Sequence, residues 1–594
     1  MPLPRSDYRY PVGYQQDAVA RILSQLTRYR GALLIASTGL GKTVIATEAA
    51  RLLRRTGAVD RVLVIAPNAV RREWASHLEA ARLPFESANH AALDASPDRS
   101  AGTRTLLTAL DALQPRTLLV IDECHLLRNR GRRSTGGRDE RSDFGSRDDR
   151  DDVGGRERVA FARLVPAIAR SGCRVLLMTA TPFSRGLANL NTQLTLLPRT
   201  APSRALMPEW VPDARAWHVS TEADIAHLPV ITVLTTPSVA RVYGEHDEGG
   251  TFVRFGLKRR YFPRLHLHRR NTPIVAGPAI AAALDAGAFG LEGSSSGIER
   301  TVRLSLTSSP WALAECVAKT LATPGPGGFA RARFAQTAEE RAAALAGLVG
   351  ALRSLRPADD PKLARLLALL DDRCAASGKA VVFVERLASA AYLEAALAAL
   401  RPGLRVGCTV VGAGRADLAG RAQASSTSTS TGDGPAAPQA PPAMAPMPAR
   451  FRQRPIGEVR AMVAAFAPVA NGVRAAGADA LDVLITTDAW GVGVNLQDAA
   501  TVISYDLAWT PIELTQRAGR ILRLWSEPRT VEIHAFVPQL GAPTMDAPFR
   551  KLWAVARRWE TLVARHDMAL RLGELPTLAV DEVVGEIELE RLAG

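Results

Sequence analysis

Short apolar runs alternate with helix-length amphipathic stretches along much of this chain. ALLIA (32–36), VLVIA (62–66), TLLVI (117–121) and VLLMT (175–179) form one series. AVVFV (380–384), DVLITT (482–487), TVISYD (501–506) and VEIHAFV (531–537) form a second. Runs of this length, bounded by polar residues, suit strands covered on both faces. Helical periods separate most of them, which predicts parallel sheets with helices on either side. The expected class is therefore α/β, with two lobes over roughly 1–200 and 376–540. An insertion or linker fills 201–375, where nucleic-acid contacts are one expected role. A helical tail spans 541–594, with apolar positions 549, 552, 553, 556, 559 and 563 on one helical face.

Two stretches break the pattern. Residues 129–158 carry only Phe144 and Val153 as sizeable apolar side chains, so they bury too little surface to offset ordering entropy. Residues 413–450 are rich in Ala, Pro, Ser and Thr and read as a second flexible insert.

Composition narrows the partner. The 594 residues carry 74 basic and 59 acidic side chains, a net charge of +15, which favours a polyanion. Only six of the basic residues are lysines, so arginine is a background bias here and no single arginine argues for recognition by itself. The five cysteines, Cys124, Cys173, Cys316, Cys374 and Cys408, show no zinc-ligand spacing and fit a reducing compartment. MPLPRSDYRY has no apolar signal core, and no run of about 18 apolar residues marks a membrane span. The cytoplasm is the expected location.

Chemistry enters at the strand ends. ALLIA runs into Ser37-Thr38-Gly39-Leu40-Gly41-Lys42-Thr43 and then a helix, the context of a phosphate-binding loop. Gly39 and Gly41 would let backbone amides close around phosphates, Lys42 would reach the β- and γ-phosphates and Thr43 would ligate Mg²⁺; the plain alternative is a chance GKT in a tight turn. Lys42 is the only lysine in the first 257 residues. TLLVI ends in Asp122-Glu123-Cys124-His125, expected on a strand neighbouring the phosphate loop. There Asp122 would hold Mg²⁺ through water and Glu123 would polarise the attacking water, although a polar strand cap explains two such acids as well. Thr179-Ala180-Thr181-Pro182 follows another strand and, alone, is an ordinary turn. Gln15 opens a helical segment; its amide can read both edges of adenine, although a surface glutamine explains it as well. Asp488–Gln497 places paired glycines after a strand, where a backbone can approach closely. In Gln516-Arg517-Ala518-Gly519-Arg520-Ile521-Leu522-Arg523, Arg520 and Arg523 are three apart and are expected on one helical face, as arginine fingers or as a solvated basic face.

The ordered set YQQ, STGLGKT, DECH, TAT, TTDAWGVGVNLQ and QRAGRILR resembles superfamily-two helicases of the DExH type over nearly all of both lobes. The resemblance implies two tandem RecA-like lobes with ATP and Mg²⁺ between them. It implies adenine recognition by Gln15, coupling of His125 to Gln516, and completion of the site by Arg520 and Arg523. A narrower similarity, on DECHLLRN (122–129), LTSSPWAL (306–313), DPKLARLLALL (360–370) and YDLAWTPIELTQRAGRILR (505–523), is to Swi/Snf-type duplex-DNA translocases, especially the bacterial polymerase-recycling branch. Cys124, Val492 and LWSEP after Arg523 depart from that pattern. The implied activity is a DNA-stimulated ATPase moving on double-stranded DNA. Three alternatives stand beside it: a strand-separating DNA or RNA helicase, an ATP-gated clamp, and a motor subunit for a protein partner such as a polymerase, nuclease or methylase. Residues 251–270 interleave aromatic and basic side chains, as a nucleic-acid groove or a hairpin with a solvated face. His266 and His268 share one side of an expected strand with no other ligand in view.

Overall fold

The computed structural model describes residues 10–68, 70–98, 100–127, 159–182, 187–198, 217–221, 224–273, 305, 307–321, 349–350, 352–353, 355–375, 378–413, 447–448, 450–473, 480–488, 494–506, 511–539 and 588–589. These residues group into two compact units. The first takes in those of 10–264 and 511–529, the second those of 265–506, 530–539 and 588–589. The expected flexible stretch 129–158, most of 413–450, the glycine pair at 491 and 493, and the tail helix at 549–563 lie outside the described residues.

The first unit is built on six strands: β1 (Gly31–Ala36), β2 (Arg61–Ile65), β3 (Phe85–Ala88), β4 (Thr117–Ile121), β5 (Arg174–Thr179) and β6 (Ile231–Leu234). Their order is β3-β2-β4-β5-β1-β6, and every pair is parallel. Strand alternation divides the core into two layers. Leu33, Ile35, Leu63, Ile65, Leu119 and Ile121 face helices Ala101–Asp111 and Val159–Ser171. Leu34, Val62, Val64, Leu118 and Val120 face helices Gly13–Arg28, Lys42–Arg55 and Arg71–Ala80. Burial on both faces is why these strands read as unbroken apolar runs.

Three expectations differ here. The DECH strand β4 is not beside β1, because β5 lies between them and brings Thr179 to the centre of the sheet edge. The sheet also continues past residue 200: β6 pairs with β1, and its end is capped by Thr235 and Ser238 at the start of helix Thr236–Tyr243. Residues 511–529, expected in the second lobe, pack with the first unit. Gly519 makes this possible, since a Cβ there would collide with the Thr38 side chain. Strands β7 (Glu245–Asp247), β8 (Gly250–Phe255) and β9 (Lys258–Tyr261) add an antiparallel sheet of their own to this unit.

The second unit carries β10 (Arg264–Pro273), β11 (Ala380–Val384), β12 (Val406–Cys408), β15 (Val483–Thr487), β16 (Thr501–Ser504), β17 (Thr530–Gln539) and β18 (Glu588–Leu589), in the order β12-β15-β11-β16-β17-β10-β18. The five strands from β12 to β17 pair in parallel, so this too is a RecA-like α/β lobe. Strands β13 (Val410–Ala413) and β14 (Arg450–Gln453) pair antiparallel and bring together the two ends of the 413–450 insert. No helix among the described residues is long and apolar enough to cross a membrane.

Three of the quoted sequence stretches meet inside this second unit. Lys362 is buried; its ammonium donates to the Thr307 carbonyl at 2.7 Å, the Ser308 carbonyl at 3.0 Å and Asp506 at 3.1 Å, and it lies 3.8 Å over the Tyr505 ring. Asp506 also accepts from the Ser308 hydroxyl and the Glu385 amide, both at 2.8 Å. Burial pushes the Lys362 ammonium below its ordinary range, against the pull of Asp506. Lys362→Met should leave Asp506 buried without its cation and destabilise the unit by about 3–5 kcal/mol, read as a lower denaturant midpoint. An unchanged midpoint would contradict this role.

His268 has companions that its own strand did not show. Strand β17 supplies Glu532 and His534; the three ligand-type atoms lie within 4.8 Å of one another. The rings of His268 and His534 stack at 4.6 Å and 9°. Arg373 donates to Glu532 at 2.6 Å and Arg270 to His534 at 3.4 Å. One guanidinium on the carboxylate and a second on His534 disfavour a cation, so the cluster is an ion-pair and stacking network. Burial, with His268, Arg270 and Arg373 nearby, pushes His534 down to about 2 and keeps it neutral.

Candidate nucleotide site

The site forms at the carboxyl edge of the first sheet, where open α/β sheets bind ligands. After β1 the chain turns through Gly39 and Gly41, both left-handed at φ 86° and 83°, and enters helix Lys42–Arg55. Lys42 and Thr43 are the first two residues of that helix, so unpaired backbone amides and the positive helix end face the loop. The Lys42 ammonium rests 3.3 Å from the Ala36 carbonyl. Gln15 is buried beneath the loop. Its amide nitrogen donates to the Leu40 carbonyl at 3.0 Å, and its oxygen accepts from the Val12 amide at 3.1 Å. Gly41 leaves room for this contact, since a Cβ would strike the Gln15 amide. In this arrangement Gln15 braces the phosphate loop.

Strand β4 delivers the acids. One carboxylate oxygen of Asp122 accepts from the Trp74 indole at 2.9 Å and the other from the Glu123 amide at 2.9 Å. The Asp122 carbonyl accepts from His90 at 2.7 Å. Burial, then the neighbouring Glu123 charge, pushes Asp122 up to about 6. Glu123 is affected in the opposite direction. Burial opposes its charge, but Lys42, His125 and Arg520 together outweigh burial and hold it well below the usual carboxylate range. Its backbone sits at φ 50°, a left-handed conformation that costs a non-glycine residue free energy and that recurs at functional sites.

His125 joins this strand to two others. Its Nδ1 lies 3.0 Å from the Thr179 hydroxyl and 3.2 Å from Glu123, and its Nε2 lies 3.0 Å from the Gln516 amide nitrogen. An amide nitrogen only donates, so Nε2 accepts and Nδ1 carries the proton. Thr179 in turn accepts from the Thr181 amide at 3.0 Å. Cys124 donates to Gln193 at 3.0 Å, and Gln193 donates to the Pro182 carbonyl, tying DECH to the Thr-Pro turn.

The two arginines reach the site by a different route from the expected one. The helix that carries Gln516 ends at Ala518, so Arg520 and Arg523 stand in the turns beyond it and share no helical face. Short-range bonds shape those turns, including Ile521 amide to Ala518 carbonyl at 3.0 Å and Arg523 amide to Ile521 carbonyl at 2.9 Å. Arg520 is buried with its charge acting on Glu123. Arg523 lies against the phosphate loop: a Cβ on Gly39 would come within 2.8 Å of its side chain. Trp74, His90 and Gln193 were not singled out in the sequence. A buried tryptophan needs a partner for its N–H, but nothing local indicates an acid 48 residues away.

Trp74→Phe keeps the bulk and removes the donor. With Asp122 as the Mg²⁺ ligand, the role proposed below, it should raise the Mg²⁺ requirement of ATP hydrolysis about 10- to 100-fold, as loss of a ligand's supporting hydrogen bond does elsewhere. The pH dependence follows from Asp122. Its raised pKa means that the folded chain binds more protons than the unfolded chain between the ordinary carboxylate range and about pH 6, so this group's contribution to stability falls as pH rises through that window. A cation held at Asp122 would need the ionised form, so on the proposal below Mg²⁺ affinity should fall about tenfold per unit well below pH 6. A flat Mg²⁺ titration from pH 7 to 5 would contradict it.

Comparison with known proteins agrees with this geometry. Residues 10–184 match the family model described as "Type III restriction enzyme, res subunit", and residues 471–524 match "Helicase conserved C-terminal domain". The first match spans the phosphate loop and the Asp122-Glu123 strand, and the second spans the segment that carries Gln516, Arg520 and Arg523. The chain is also similar to the "Uncharacterized ATP-dependent helicase YqhH" of Bacillus subtilis (strain 168), 52% identical over 54 residues. That stretch is 9% of this chain and 10% of the relative, so the chain matches about a tenth of that protein's length.

Proposed function

We propose that this protein is an ATP-driven nucleic-acid motor, a DNA-stimulated ATPase that translocates on duplex DNA. The observation that carries the ATPase is the meeting of Lys42, Asp122, Glu123, Gln516, Arg520 and Arg523 at one sheet edge of the first unit. The donor set fits Mg·ATP: left-handed glycines, a lysine at a helix start, a hydroxyl on Thr43 and a carboxylate on Asp122. Thr43 and Asp122 would hold Mg²⁺, and Lys42 with the loop amides the triphosphate. Glu123 then orients water and takes up its proton, while Arg520 and Arg523 balance the developing charge. The net charge of +15 and the sequence similarity to Swi/Snf-type translocases support duplex DNA as the track. The match of 10–184 to a restriction-enzyme subunit supports a second reading, a motor that serves a nuclease partner. All five cysteines are free thiols, which fits the cytoplasmic setting proposed. The test is triplex displacement: this motor should strip a third strand from duplex DNA in an ATP-dependent way, and duplex-stimulated hydrolysis without displacement would remove translocation.

A further inference from the structure

The antiparallel sheet β7–β9 lies outside the nucleotide site, yet it is bonded to the segment that carries Arg523. Strands β8 and β9 pair from Phe252:Tyr261 to Phe255:Lys258, leaving Gly256 and Leu257 as a two-residue turn. Gly256 at φ 63° supplies the left-handed first position of such a turn. Leu257 at the tip is 98% exposed. A single exposed leucine is ordinary. This one sits within seven residues, 254–260, that carry four cations and no acid.

Those cations divide by face. Arg254 and Arg259 are bound to Glu245 at 2.8 Å and Asp247 at 2.6 Å, and lie over the Phe252 ring at 5.5 and 4.9 Å. They stiffen the hairpin. Lys258 and Arg260 fall on the opposite face by register, and neither side chain has a partner among the described residues. Behind the tip, Tyr261 and Trp525 exchange backbone hydrogen bonds at 2.8 and 3.0 Å, and the Arg264 amide donates to the Arg529 carbonyl at 3.0 Å. Trp525 is two residues beyond Arg523, whose side chain rests on Gly39 of the phosphate loop.

We infer that this hairpin is a nucleic-acid contact that reports its occupancy to the nucleotide site. Lys258 and Arg260 take backbone phosphates, and Leu257 rests against a base or sugar. The Tyr261:Trp525 bonds pass the load to Arg523. Unpaired cations around an apolar tip match a ligand that is an anionic chain with apolar faces. The inference rests on the motor reading above.

The test uses the full chain with labelled duplex DNA and labelled single-stranded DNA. The triple variant Leu257→Ala, Lys258→Ala, Arg260→Ala should hydrolyse ATP like wild type without nucleic acid. It should bind nucleic acid about tenfold more weakly, with the slope of log affinity on log salt shallower by about 2 for two lost phosphate contacts. Trp525→Pro removes one bond to Tyr261; it should bind nucleic acid normally and lose stimulation of hydrolysis. A photo-reactive residue at 257 should crosslink to the labelled nucleic acid, and this readout does not depend on Trp525→Pro folding. Wild-type stimulation with an unaltered triple variant and no crosslink would overturn the hairpin alone and point it to a protein partner. A wild type that neither binds nor responds to nucleic acid would remove the motor reading and the hairpin with it.

Discussion

Glu123→Gln should bind ATP nearly as well as wild type and hydrolyse it about 10²–10⁴-fold more slowly, the usual span for loss of a general base. The substitution conserves volume, so Asp122, His125 and the phosphate loop stay in place. It removes the capacity to take a proton. Lys42, His125 and Arg520 keep Glu123 ionised despite burial, so it is ready to accept a hydrogen bond from water, while the same contacts lower its basicity. The strained backbone at φ 50° fixes where the carboxylate points. Fluorescent-nucleotide binding and single-turnover hydrolysis separate the two effects. Glutamine turnover within a few-fold of wild type would mean that water is activated elsewhere.

Arg520→Ala should cost about 10³–10⁵ in turnover, the range seen when an arginine finger is removed. Two effects combine. The guanidinium is lost from the site, and Glu123 loses one of the two cations, Lys42 and Arg520, that together with the His125 hydrogen bond keep it ionised. Arg520→Lys should restore the charge but only part of the rate, because an ammonium lacks the planar fork. Nucleic-acid binding measured without ATP should survive both changes. Equal activity of the alanine and wild-type proteins would make Arg520 a structural residue.

Much of the nucleotide site was legible because its parts are local. A strand, two glycines, Lys42 and a helix are contiguous in the chain, and so are TLLVI and Asp122-Glu123. Sheet order was not legible: nothing in 117–125 reveals that β5 inserts between β4 and β1. Strand β6 was missed because ITVL is short and adjoins polar threonines, and only pairing with β1 makes it a sheet edge. The arginine segment was read as helix for a turn too far: the helix ends at Ala518, and Gly519, a poor helix former, follows it. Trp74 and Lys362 show the general limit. Their partners, Asp122 and Asp506, are 48 and 144 residues away, and only the fold joins them.

The most direct test of the central claim is steady-state ATP hydrolysis with no nucleic acid, single-stranded DNA, duplex DNA and RNA, beside Lys42→Ala. The account predicts strongest stimulation by duplex DNA and near-complete loss of turnover in the alanine variant. Lys42→Ala turnover equal to wild type would contradict the nucleotide site, and stimulation by single strands or RNA alone would contradict the duplex track.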